Sequence, residues 1–146
     1  TLISVAPRVQ RVSVSPDDRW VITADQTALR LAVIDARTNA VSSSIALPGI
    51  GYGTAFTPDG QWLLVALPSI QKVGFIDWKK KVLVAAVDVP KSPQNVLMRP
   101  DGARAYVSCD ASAQVAEIDV VKQTVSQLIK VGPGADGLAW AAPVAR

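Results

Sequence analysis

Pro58-Asp59-Gly60-Gln61-Trp62-Leu63-Leu64-Val65-Ala66-Leu67 reads as a tight turn running into a strand. Proline presets φ, glycine accepts a positive φ, and the run that follows has the length and apolar character of a buried strand. The same turn stands 42 residues earlier as Pro16-Asp17-Asp18 and 42 later as Pro100-Asp101-Gly102. Ile34-Asp35, Ile76-Asp77 and Ile118-Asp119 keep that step, as do Trp20 with Trp62, Val41 with Leu83 and Val125, and Pro48 with Pro90. Several independent marks in one register define an internal repeat.

The copy from Tyr52 to Pro93 shows the anatomy of one unit. Thr54-Ala55-Phe56 leads into the turn, followed by Trp62 to Ala66, a loop at Pro68-Ser69, Lys72 to Ile76, a turn from Asp77 to Lys81, and Val82 to Val87. Each run is of strand length and stops at a breaker or a polar turn. Four short strands in about 42 residues make one blade of a β-propeller, and no run carries the 3.6 periodicity of a helix. The expected fold is all-β, with blades of four antiparallel strands near Val12 to Ser15, Trp20 to Ala24, Leu31 to Asp35 and Val41 to Leu47, recurring at each 42-residue step.

The copies run about 6–47, 48–89 and 90–131, within one partial propeller over 1–146. Leu2-Ile3-Ser4-Val5 aligns with Ser44 to Leu47 and predicts a late strand. Gly137 to Trp140 predicts an early one, with Trp140 in the core slot of Val14, Phe56 and Met98. Three full copies are too few to close a ring of four to eight blades. The expected partners are therefore the remaining blades of a longer polypeptide or a second copy of the chain.

The Pro-Asp-Gly turn, the following Ala105-Tyr106-Val107-Ser108, the Ile-Asp after the third strand and the Val131-Gly132-Pro133-Gly134 link resemble the YVTN β-propeller repeat family. Tyr106-Val107-Ser108 comes nearest the tyrosine-valine-threonine core, whereas Val21-Ile22-Thr23 and Leu63-Leu64-Val65 depart from it. The resemblance covers essentially the whole chain and specifies fold far better than function. It implies a periplasmic, cell-surface or extracellular location, and relatives that range from surface proteins to lactonase-like and haem-binding propellers.

Composition excludes several classes of function. Of 146 residues 49% are hydrophobic, so the chain folds, yet no apolar run approaches the roughly 18 residues of a membrane helix. The net charge of +3 comes with 5% aromatics and no basic block longer than Lys79-Lys80-Lys81, which argues against nucleic acid. The single cysteine, Cys109, excludes an internal disulfide and every Cys-pair zinc spacing, and with no histidine to activate it an inert thiol is expected. There is no GxSxG and no P-loop, and no metal or cofactor is expected.

Residues that recur in every copy read as scaffold. Asp17, Asp59 and Asp101 are expected to accept bonds from their own turns, as are Asp35, Asp77 and Asp119 from the turns that follow them. Trp20 and Trp62, with Arg104 in the third copy, read as packing between blades, whereas Trp78, in a turn, reads as exposed. Glu117 stands in the slot of Val33 and Phe75; an exposed edge is the expected place, since a buried one would require a specific partner.

The loops that join the fourth strand to the next first strand, and the second to the third, share the propeller face beside the central channel. Arg8 to Arg11, Asp25 to Arg30, Gly51 to Gly53, Pro68 to Lys72, Pro93 to Asn95, Cys109 to Gln114 and Gly134 to Asp136 fall there. One repeat position reads Gln10, Tyr52, Gln94 and Asp136; the next reads Arg11, Gly53, Asn95 and Gly137. Variation at a channel-side position suits ligand contact. Gln10, Arg11, Tyr52, Gln94, Asn95 and Asp136 are the candidate ligand-binding residues, for a protein or a small molecule. The expectation is a non-catalytic binding or structural module. The alternative is a segment of a larger propeller enzyme, lactonase-like or haem- or quinone-dependent, with its catalytic residues on other blades.

Overall fold

A computed structural model describes residues 2–141. Twelve strands form three four-stranded antiparallel sheets, each in simple meander order. Sheet 1 holds β1 (Val9–Val14), β2 (Trp20–Asp25), β3 (Arg30–Asp35) and β4 (Ala40–Ala46). Sheet 2 holds β5 (Thr54–Phe56), β6 (Trp62–Leu67), β7 (Lys72–Asp77) and β8 (Val82–Asp88). Sheet 3 holds β9 (Pro93–Met98), β10 (Arg104–Cys109), β11 (Gln114–Asp119) and β12 (Thr124–Lys130). The only helical pieces among the described residues are single 3-10 turns, Pro68–Ile70 and Asp110–Ser112, between the second and third strands of sheets 2 and 3. The all-β propeller expectation therefore holds.

The repeat is carried into atomic detail. Trp20 stands opposite Asp35, Trp62 opposite Asp77 and Arg104 opposite Asp119. Each third strand meets a bulge in its fourth, at Val33/Ile34, Phe75/Ile76 and Glu117/Ile118. Each Pro-Asp turn has a left-handed residue in the same place: Asp18 at φ 56°, Gly60 at 69° and Gly102 at 74°. The turn carboxylates accept as expected, Asp17 from Arg19 N–H, Asp59 from Gln61 N–H and Asp101 from Ala103 N–H. Asp35, Asp77 and Asp119 take the N–H groups of Arg37, Lys80 and Lys122.

Two apolar clusters bind the sheets together. Between sheets 1 and 2 lie Ile22, Leu31, Val33 and Ile45 against Leu63, Val65, Leu67 and Ile76. Between sheets 2 and 3 lie Leu64, Ala66, Val73 and Phe75 against Ala105, Val107, Cys109 and Ile118. Alternation along each strand sends successive residues to opposite neighbours, and each large side chain so buried contributes about 1.5–3 kcal/mol. Trp20 and Trp62 flank these clusters, Trp62 edge-on to Phe75 at 6.3 Å. The first strands of the three sheets lie side by side, with Ser13 and Thr54 hydroxyls 2.6 Å apart and Gly53 N–H donating to Gln94 O at 2.9 Å. A side chain on Gly53 would collide with that Gln94 backbone, so only glycine permits the approach.

Four expectations need correction. Leu2 to Val5 and Gly137 to Trp140 are not strands, because the third strand that would pair with the former and the second that would pair with the latter are not among the described residues. Trp140 is 49% exposed rather than a core residue, stacked on Tyr106 at 6.4 Å. Trp78 is not an exposed turn residue. It packs edge-on to Phe56 at 4.8 Å and Trp20 at 6.2 Å, and its indole carries the Lys81 ammonium 3.0 Å from the ring centroid. Burial there pushes the Lys81 amine down to about 8, against the pull of Asp17 and Asp77. Finally, Glu117 is not at a bare edge: its carboxylate is held by Ser126 Oγ at 2.7 Å and Arg104 Nε at 3.5 Å.

Candidate functional site

The loops expected on the channel-side face do meet. Gln26 N–H donates to Arg8 O at 2.9 Å, its side-chain amide to Gly51 O at 2.6 Å, and Asp110 N–H to Ser92 O at 3.1 Å. The antiparallel meander requires this, since every second connection returns to the same end of the sheet.

Arg11 is the distinctive residue of that face. The pairing of β1 with β2 skips it, Gln10 facing Ala24 and Val12 facing Thr23, so Arg11 occupies a bulge. Its φ is 55°, a left-handed conformation that costs an ordinary residue about 1–2 kcal/mol, whereas Gly53 and Asn95 at the equivalent positions do not share it. The bulge re-aims the side chain out of the ladder. The guanidinium lies 5.3 Å over the Tyr52 ring, in the segment before β5. Its Nη2 donates to Asp136 Oδ1 at 2.5 Å, in the segment after β12. Three repeat units thus contribute one residue each. The Arg11 and Asp136 side chains are 34% and 55% exposed, so the ion pair itself adds at most about 1 kcal/mol. Arg11 Nε is buried without an acceptor among the described residues.

The other candidates do not join this cluster. Gln10 is exposed, and its carbonyl accepts from Thr23 Oγ1 at 3.2 Å. The Gln94 amide donates to Ser92 Oγ at 2.8 Å, and the Asn95 amide to Leu138 O at 3.4 Å. Ser108 Oγ donates to Asp136 O at 2.5 Å, which together with Asn95 ties the Asp136–Leu138 segment to sheet 3.

A second polar group lies on the outer face of sheet 3. Tyr106, Glu117, Ser126, Arg104, Arg99 and Asp119 are linked there. The Ser126 bond holds the Glu117 carboxyl below its ordinary range despite partial burial, with Tyr106 adding to the effect. Burial, then the Glu117 bond, raises the Tyr106 hydroxyl. Glu117 and Arg104 already stood out in the repeat as charges in apolar or aromatic slots; that they meet follows from their place on adjacent strands. Cys109 is fully buried in the cluster between sheets 2 and 3, and burial raises its thiol to about 11. On the opposite, turn-bearing rim one crevice opens between sheets 2 and 3, by Thr57, Trp62 and Val120, and another between the two turns of sheet 2, by Gln61, Asp77, Trp78 and Lys81. Among the described residues no cluster of three His, Cys, Asp or Glu is placed to hold a metal.

A family described as YNCE-like beta-propeller matches residues 2–140, the span that holds the three four-stranded sheets. The chain belongs to the YNCE-like β-propeller family. This YNCE-like chain is similar to the hydrazine synthase of Kuenenia stuttgartiensis, with TM-score 0.83 and 24% identity over 91% of this chain and 39% of that one. It is similar to a functionally unknown protein of Desulfotomaculum acetoxidans, with TM-score 0.74 and 19% identity over 86% of this chain and 43% of that one. The dihydro-heme d1 dehydrogenase NirN, in complex with DHE, matches with TM-score 0.71 and 18% identity over 90% of this chain and 30% of that one. These likenesses show the fold, and the chain spans less than half the length of each. No match was found among curated proteins.

Proposed function

We propose that this YNCE-like segment is a binding or structural module that engages a ligand on its channel-side loop face, without chemistry of its own. The observation that carries the reading is the convergence of Arg11, Tyr52 and Asp136 from three repeat units, at positions where the copies differ. Recurrent carboxylates are occupied by their own turns and are not free for such a role. A thermal-shift screen against a metabolite library tests it. Ligands found this way are expected to bind at least tenfold more weakly to Arg11→Ala and Tyr52→Ala, and unchanged to Lys79→Ala on the opposite rim. Ligands indifferent to both channel-side substitutions would overturn the reading.

A second reading is a segment of a larger propeller enzyme. It is favoured by the likeness to hydrazine synthase and NirN, of which the matched region is 39% and 30%. With no histidine in the sequence, imidazole ligands or bases would come from other blades. An absorption spectrum of the protein purified from its native host checks this: a bound chromophore favours the enzyme. For location we propose export to the periplasm, cell surface or medium, which fractionation with a cytoplasmic marker tests. Further blades or a second copy are proposed to cover the outer faces of sheets 1 and 3. Light scattering giving a stable monomer of 15.4 kDa would sink that part.

A further inference from the structure

Arg11 presents a half-used fork. A guanidinium offers Nε–H and one Nη–H side by side, a spacing that matches the two oxygens of a carboxylate. Asp136 uses only the Nη2 side, through one oxygen, and the Nε beside it is buried with no acceptor among the described residues. A buried donor left unmade is unfavourable, and a carboxylate spanning both nitrogens would remove that penalty. Asp136 is poorly placed to do so itself, because its own backbone carbonyl is tied down by Ser108 Oγ. Its carboxylate is nonetheless more than half exposed, and the segment around it makes no ladder, so the side chain is free to leave Arg11.

Two features show a site rather than a stray surface pair. The pairing irregularity recurs at Gln94 and Asn95 in sheet 3, but the left-handed φ of Arg11 is shared by neither Gly53 nor Asn95, so it is not imposed by the repeat, and backbone strain of this kind collects at ligand sites. The Tyr52 ring lies against the guanidinium and fixes its plane, which keeps the fork oriented when Asp136 withdraws. Resting on the channel-side reading above, we propose that Arg11 and Tyr52 form a carboxylate-binding site, in which Asp136 occupies the place of a small-molecule carboxylate and is displaced by it. Asp136 then acts as an internal competitor that sets the affinity.

Amide chemical shifts of the protein, followed during titration at constant ionic strength, test this with three probes: succinate, its neutral diamide, and putrescine as a dication. Succinate is expected to move the amides of Arg11, Tyr52 and Asp136 and the two other probes to leave them still. Asp136→Asn is expected to tighten succinate at least threefold by removing the competitor. Arg11→Gln should weaken it at least tenfold, and Arg11→Lys, which keeps the charge but loses the fork, should also weaken it. Succinate binding that Arg11→Lys preserves, or that Asp136→Asn weakens, would overturn the proposal. If the diamide or putrescine moves these amides and succinate does not, the carboxylate class fails while the channel-side reading stands. If none of the three moves them, the proposal fails, and the thermal-shift screen alone decides the broader reading.

Discussion

The face that sheet 2 turns toward sheet 3 and the same face of sheet 3 are built on one backbone plan, yet they carry opposite chemistry. Sheet 2 offers Trp62, Leu64, Ala66, Val73 and Phe75, and sheet 3 covers them. At the equivalent places sheet 3 has Arg104, Tyr106, Ser108, Val115 and Glu117, on a face that, among the described residues, the segment leading to Trp140 approaches. The outer face of sheet 1 shows the same trend: Asp25 stands where sheets 2 and 3 have Leu67 and Cys109. A slot sealed by an apolar neighbour excludes charge, because desolvation is not repaid there. Where that neighbour is missing from the described residues, charged groups are present and partner one another. Slot chemistry in a repeat therefore reports what lies against it as well as the sheet itself.

The largest test of this contrast is truncation on the two sides. Phe75→Ala, emptying a fully buried slot, is expected to cost about 3–5 kcal/mol in urea unfolding, and Glu117→Ala at the equivalent open slot only about 1 kcal/mol. Equal losses would break the comparison.

Next in size is the sealing of the covered face. Cys109 has no accessible surface and a thiol raised to about 11 by burial. Labelling by a disulfide reagent at neutral pH is expected to be about a thousandfold slower in the native protein than in urea, since the thiol must wait for opening. Rapid native labelling would show that the interface between sheets 2 and 3 is not closed.

Asp25, itself without accessible surface, probes the outer side of sheet 1 through pH. Thr27, by its hydroxyl and N–H, and then Arg30 hold its carboxyl down to about 2. Because the folded value lies below the unfolded value of about 3.9, its stabilisation is complete above that value and fades as pH falls toward 2. The urea midpoint of Asp25→Asn should lie below that of the parent at pH 6, with the gap closing on acidification across this window. A gap that widened instead would contradict the assignment.

The smallest effect concerns the turn common to all three sheets. Asp18 holds φ 56° where the other copies use Gly60 and Gly102, so Asp18→Gly is expected to stabilise the protein by about 0.5–1 kcal/mol in thermal unfolding. A loss would mean that Asp18 has a contact the repeat does not demand.

What the sequence determined by itself was everything repeated. The 42-residue step, the Pro-Asp turns and the Ile-Asp strand ends sufficed for the blade, because turn chemistry and period-two alternation are local properties that every copy restates. Arg11, Tyr52 and Asp136 were legible as candidates only through their variation between copies. Their meeting depends on one strand and two connecting segments brought together, with Arg11 and Asp136 125 residues apart, which no local pattern encodes. Gln10, Gln94 and Asn95 shared the same signal and point elsewhere, because the left-handed backbone that aims Arg11 is absent at Asn95, whose strand has a similar pairing irregularity. The burial of Trp78 and the exposure of Trp140 were likewise decided by the fold. Each depends on which neighbouring sheet covers the residue, and that is a property of the assembled blades rather than of any one of them.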